Sequence, residues 1–197
     1  MYLLSLELKE DHRCLKTGLY FDLKPITLLV GEQGCGKSSL LTLLQKNSKM
    51  LKLELSESVF VNGVSSFFFD SETMNPRMCD LEANYTNVNG SDKGIGLGSA
   101  IMSKFKSHGE TLREFTVNRI KDAKNCVLLL DEPESALSIR NQYKLAKEIK
   151  EAVNRNCQII IATHCLPLIE SIDTVYSLEH KQWMTSKEFI EESIKNI

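Results

Sequence analysis

Four prolines, ten glycines and one tryptophan in 197 residues are too few for a collagenous, proline-rich or low-complexity chain. An excess of one charge is missing too. Twenty-four Lys+Arg against 26 Asp+Glu give a formal net charge of −2, which excludes a strongly basic nucleic-acid binder and leaves room only for a local patch. The six cysteines (Cys14, Cys35, Cys79, Cys126, Cys157, Cys165) form no Cys-x-x-Cys pair and no cluster with histidine. Neither a zinc site nor a disulfide framework is indicated, and reduced thiols are expected. No apolar run approaches the roughly 20 residues of a membrane helix. Met1 to Lys9 alternates apolar with polar residues and leads into Glu10-Asp11, unlike a signal peptide. These absences point to a cytoplasmic, soluble protein without membrane insertion. What is present is 42% apolar residues, spread over a length that can bury roughly 70% of its unfolded surface. One domain over 1–197, folding without disulfide or structural metal, is the expectation.

Leu4, Leu6 and Leu8 alternate with Ser5, Glu7 and Lys9, and a second extended stretch runs through Leu19-Tyr20-Phe21, so the first 25 residues predict an antiparallel pair. Ile26 to Val30 is a short apolar run between Pro25 and Gly31, the pattern of a strand buried on both faces. A helix with Leu40, Leu41, Leu43 and Leu44 on one side follows from about Gly36. Further strands are predicted over 59–61 and 65–69. The stretch from Asn75 to Ser107 is rich in Asn, Gly, Ser and Asp, and reads as loop with one short helix over 100–105. Then come a helix over 110–122, a strand over 126–130, a helix over 138–154, a strand over 158–162, a helix over 167–171, a strand over 174–178 and a last helix from Ser186. Thr185 and Glu188 have capping-box spacing for that last helix. Alternating strands and helices predict an α/β fold: a mostly parallel sheet flanked by helices, an N-terminal antiparallel β piece, and a reduced helical lobe over 71–122.

Gly31-Glu32-Gln33-Gly34-Cys35-Gly36-Lys37-Ser38 matches G-x-x-x-x-G-K-[ST] and stands where that motif must stand, after an apolar strand and before a helix. Its glycines let successive backbone N–H groups wrap phosphates, Lys37 can reach the β- and γ-phosphates, and Ser38 can ligate Mg²⁺. A merely flexible Gly-rich turn is the bland alternative. Val127 to Leu130 delivers Asp131 and Glu132 to a strand end, which in an α/β sheet opens beside the phosphate loop. Asp131 would hold Mg²⁺ through water or Ser38, and Glu132 would polarise an attacking water. The alternative is a pair of surface acids. Ser107-His108-Gly109-Glu110 before a helix is either an ordinary N-cap or a second anion site. Ile159 to Thr163 carries His164 to another strand end, as a structural hydrogen-bonder or as a catalytic group.

In their order along the chain, phosphate loop, Ser-x-Gly-Glu, apolar-Asp-Glu-Pro and apolar-Thr-His resemble the ATP-binding cassette (ABC) ATPases, P-loop NTPases, over nearly the whole chain. The resemblance makes ATP and Mg²⁺ the expected ligands. Lys37 and Ser38 match the Walker A residues, with Ser39 following them into the helix. Asp131 matches the Walker B aspartate, Glu132 the catalytic glutamate and His164 the switch histidine. Ser135-Ala136-Leu137-Ser138 matches the D-loop except for its final residue, usually Asp. Ser107, Gly109 and Glu110 stand where transporters carry Ser-Gly-Gly-Gln, and the Glu ending is more like the chromosome-maintenance, repair and phage-defence branches. The Asp-Glu-Pro-Glu-Ser-Ala-Leu and Ser-His-Gly-Glu-Thr runs look most like the small stand-alone ATPases of that group.

Two departures accompany the resemblance. Ser38 to Ser107 spans 69 positions, too few for a long coiled-coil insertion. The Q-loop glutamine is not evident, and Asp70 or Glu72 stands in its region as a metal and water contact. Tyr20 and Arg13 are the candidates beside adenine, with sheet packing the alternative for Tyr20. In the family ATP is sandwiched between two heads, which implies an ATP-dependent homodimer whose turnover drives or gates a protein partner, such as a nuclease or other effector acting on nucleic acid. The competing readings are the nucleotide-binding subunit of a membrane importer and an ATP-responsive scaffold with little turnover. A small-molecule P-loop kinase is disfavoured, since its lid is usually rich in arginine and only Arg113, Arg119, Arg140 and Arg155 fall in the second half. The 84–98 loop and the Trp183-Met184 region are docking surfaces or plain packing. Cys35 is either a thiol activated at a helix N-terminus or a neutral filler.

Overall fold

The computed structural model describes residues 2–56, 65–70, 117–135 and 137–195, with the backbone alone for 65–67 and 70. The expected strand over 59–61, the 84–98 loop, the helix over 100–105 and residues 71–116 of the helical lobe lie outside the described residues.

Two sheets form. The smaller has the order β2-β1-β4. β1 (Leu3–Leu8) pairs antiparallel with β2 (Tyr20–Asp22), Leu6 facing Phe21, as the alternation predicts. On its other side β1 pairs antiparallel with β4 (Leu51–Leu55). β4 is an addition to the predicted elements, although Leu51, Leu53 and Leu55 alternate with Lys52 and Glu54 in the period of a half-buried strand. Glu7 and Lys52 are register partners and ion-pair at 3.5 Å.

The larger sheet has the order β5-β6-β7-β3-β8-β9. β5 (Ser65–Asp70), β6 (Cys126–Asp131), β7 (Gln158–Ala162), β3 (Ile26–Val30) and β8 (Thr174–Ser177) run parallel, and β9 (Gln182–Thr185) closes the edge as an antiparallel hairpin with β8. The central strands are near-continuous Leu, Ile and Val because both faces are covered. Leu28, Val30, Leu128, Leu130, Ile159 and Ile161 point to one face, under α2 (Ile139–Asn154) and α3 (Leu166–Ser171). Leu29, Leu129 and Ile160 point to the other, where α1 (Lys37–Gln45) and the smaller sheet cover them. Residues 117–122 are helical and bury Val117 and Ile120 on the α2 side. α4 (Ser186–Lys195) begins with the predicted capping box: Glu188 N–H donates to Thr185 Oγ1 at 3.2 Å, and Thr185 N–H to Glu188 Oε2 at 2.9 Å.

Gln158, fully buried at the start of β7, joins the two sheets. Its Oε1 accepts from the N–H groups of Tyr2 and Leu3, at 3.0 and 2.8 Å, and its Nε2 donates to Leu3 O and Lys24 O. Trp183 packs as an edge-strand residue: Tyr176 meets it edge-on, and Lys24 Nζ sits 3.8 Å above its ring.

Candidate active site

The turn between β3 and α1 is built on glycine. At Gly36 (φ 110°) a Cβ would stand 2.6 Å from Leu15 Cδ2, so the loop over 9–18 closes down on a residue that must be glycine both for its left-handed backbone and for space. Lys37, the first residue of α1, is buried and folds back: its Nζ donates to Gly31 O and Glu32 O, each at 3.0 Å, with Cys35 Sγ 3.7 Å away. Gln33 and Gly34 are exposed at the tip. The buried Ser39 hydroxyl accepts from Arg13 Nη1 at 3.4 Å, an arginine held in a left-handed conformation (φ 54°). Arg13 is thus brought to the start of α1. Tyr20 is not sheet packing; it is 55% exposed on β2, its hydroxyl donating to Asp22. The reason is the alternation of β2, which turns Phe21 inward onto Tyr176 and Tyr20 and Asp22 outward.

Parallel strands carry the remaining residues to the same edge. Ser38 Oγ donates to Asp131 Oδ1 at 2.9 Å, across 93 residues of chain. Glu132 follows with a left-handed backbone (φ 45°), its N–H donating to Ala162 O at 2.9 Å at the end of β7. The exposed His164 comes two residues after Ala162. Partial desolvation holds its pKa below the ordinary histidine value, and the nearby Lys37 adds to that, while Glu132 and Glu32 oppose it. Asp70 ends β5 in register with Asp131, so its backbone lies level with the site. Ser107, Gly109 and Glu110 lie outside the described residues.

The sequence profile of the ATPase family associated with various cellular activities (AAA) matches residues 27–180, from β3 through the β8–β9 turn. The chain belongs to the AAA family. Its fold is that of P-loop NTPases of the ATP-binding-cassette type, an α/β fold with a mostly parallel sheet and an antiparallel N-terminal sheet. A chain assigned to a metal-chelate type ABC transporter in an inward-facing conformation superimposes with TM-score 0.58 and 24% identity, over 93% of this chain and 82% of that one. The cbiO1 protein of Clostridium perfringens, part of the ABC transporter complex cbiONQ, gives TM-score 0.55 and 15% identity over 98% and 92%. A nucleotide-free ATP-binding cassette from an ABC transporter gives TM-score 0.57 and 15% identity over 99% and 96%.

In this AAA-family site Ser38 and Asp131 offer a hydroxyl and a carboxylate oxygen already in contact. These hard donors are the kind Mg²⁺ takes when phosphates and water complete its shell. Among the described residues no cluster of three or more His, Cys, Asp or Glu gathers, so no all-protein metal cage competes with that arrangement. A cleft of about 690 Å³ borders the loop, with Gly31, Glu32, Gln33 and Glu132 on one wall and Phe189 and Ile190 of α4 on another. Among the described residues no helix is long and apolar enough to cross a membrane. Two residues of the site are additions to those predicted from sequence. Glu134, buried behind Glu132, accepts from the Thr163 hydroxyl, and the same hydroxyl accepts from Cys165 N–H at 2.9 Å. The available signal was the third carboxylate of Asp131-Glu132-Pro133-Glu134, since an acid placed among buried strand ends needs a partner.

Proposed function

We propose that this AAA-family chain binds ATP with Mg²⁺ and hydrolyses it as one head of an ATP-bridged, head-to-tail pair. The observation that carries this reading is the 2.9 Å contact between Ser38 and Asp131 beside the buried Lys37, which joins the two phosphate-handling motifs in one place. Lys37 would turn its ammonium from the Gly31 and Glu32 carbonyls to the β- and γ-phosphates, while the N–H groups over 32–39 wrap the phosphate chain. Ser38 and Asp131 would hold Mg²⁺, which neutralises phosphate charge when bound, and the Asp70 carboxylate is a third candidate ligand. Glu132 would take the proton of the attacking water, and His164, largely neutral at pH 7, would steady the γ-phosphate. Ser107, Gly109 and Glu110 of the second copy would complete the anion site. The pairing rests on the ABC-type signature order, and so does the further reading that turnover gates a partner acting on nucleic acid or in phage defence.

The test is the solution mass of wild type and Glu132→Gln, each with and without ATP-Mg²⁺, alongside phosphate release. The expected result is slow wild-type release, none from Glu132→Gln, and a shift of the variant from 22.3 kDa to twice that mass with ATP. A Glu132→Gln protein that stays monomeric at saturating ATP-Mg²⁺ overturns the pairing. Wild type without phosphate release overturns the enzyme reading in favour of a scaffold. Co-purification with a membrane protein supports the importer reading.

A further inference from the structure

Glu134 is the one buried carboxylate among the described residues, and no ion pair among them reaches it. Burying an acid without a cation is unfavourable unless the group holds something in return. What Glu134 holds is a loop. Its Oε1 accepts from the Thr163 hydroxyl. Thr163 Oγ1 in turn accepts from Cys165 N–H, so a single side chain fixes the backbone on both sides of His164. One residue before Pro133, the Glu132 N–H donates to Ala162 O, immediately ahead of Thr163. The β6 turn and the β7–α3 loop are therefore fastened twice, once through backbone and once through the Glu134–Thr163 pair, and each carries one group assigned to the hydrolysis step, Glu132 to the attacking water and His164 to the γ-phosphate. Glu134 Oε2 is buried and makes no hydrogen bond, so the clasp depends on one oxygen. Burial pushes the carboxyl up to about 7 and the Glu132 charge adds to that, against the lowering by Thr163.

We propose that Glu134 is a positioning residue which, through Thr163, holds His164 in register with Glu132 across the mouth of the site. The inference rests on the hydrolysis reading above. It differs from a packing role in what it perturbs: the clasp touches neither Lys37 nor Ser38, so loosening it acts on the reaction and spares nucleotide capture. A displacement of catalytic groups by about 1 Å lowers turnover by about a hundredfold.

The experiment compares steady-state ATP hydrolysis by wild type, Glu132→Gln, Glu134→Gln, Thr163→Val and Thr163→Ser, with ATP-Mg²⁺ affinity measured by calorimetry. The expected result is a fall in kcat of about ten- to a hundredfold in Glu134→Gln and Thr163→Val with KM and affinity within about twofold of wild type. Thr163→Ser, which keeps the hydroxyl, recovers most of the loss. Wild type that releases no phosphate overturns the hydrolysis reading and this inference with it. Wild type that turns over while Glu134→Gln and Thr163→Val keep their kcat overturns this inference alone. So does a Thr163→Ser protein as impaired as Thr163→Val, or a loss that appears equally in affinity. Should Glu134→Gln fail to fold, the Thr163 pair decides the matter by the same criteria.

Discussion

Replacing Glu134 with Gln makes the dependence of stability on pH a direct reading of the buried carboxyl. The folded group titrates near 7 and the unfolded one near 4.5, chiefly because burial disfavours the charge. Between those values the folded protein binds more protons than the unfolded chain, so this group's contribution is fully present below pH 4.5 and is lost as pH rises through 7. At about 1.36 kcal/mol per pH unit the full effect is about 3 kcal/mol, of which about 2.5 falls between pH 5 and 8. His164 acts in the opposite direction. Its lowered pKa makes the unfolded chain the better proton binder, and stability rises with pH as the histidine neutralises. Both proteins carry His164, so it cancels in their difference. The assay is urea unfolding of nucleotide-free protein at several pH values, followed by fluorescence of Trp183, the single tryptophan. Relative to wild type, Glu134→Gln should gain about 2.5 kcal/mol from pH 5 to pH 8. A difference constant to within about 0.5 kcal/mol over that range, half the typical net worth of one hydrogen bond, refutes the buried-acid description.

Three further outcomes follow from the geometry. Gly36→Ala places a methyl 2.6 Å from Leu15 Cδ2 on a backbone with φ 110°, and should destabilise by about 2 kcal/mol and abolish ATP binding, read by calorimetry. Ser38→Ala should weaken ATP-Mg²⁺ binding about tenfold, equivalent to about 1.4 kcal/mol, and leave metal-free nucleotide affinity nearly unchanged in chelator. Gln158→Ala strands the N–H groups of Tyr2 and Leu3 and the carbonyls of Leu3 and Lys24, and should lower stability by about 3 kcal/mol in urea titrations.

The parts of the fold that were legible in the sequence are those decided by local pattern. β3, β6 and β7 announce themselves as unbroken aliphatic runs because both faces are covered, and the strand-loop-helix context of Gly31 to Ser38 fixes where the phosphate loop must lie. Asp131 is legible for the same reason, as the polar end of such a run. The edges were harder to read. β4 and β9 are short, carry Lys52, Glu54 and Gln182, and take their strand character from the neighbours they pair with, not from an apolar run. Gln158, Glu134 and Thr163 were illegible as partners because their meaning lies in contacts over 29 to 156 residues, which no window along the chain contains. Arg13 and Tyr20 sat in the same short stretch as candidates, and only the outward turn of β2 and the closure of the 9–18 loop separate them.

The fold-back of Lys37 onto its own loop has a consequence for what the site will accept. An ammonium whose hydrogens are already shared with two carbonyls is no open trap for anions, and whatever enters must take that grip over from the backbone. Capture becomes an exchange of partners. On the proposed function, a polyphosphate that engages several of the loop's N–H groups at once offers more in that exchange than a single small anion. The Gly31 and Glu32 carbonyls thus set a threshold that an incoming anion has to exceed.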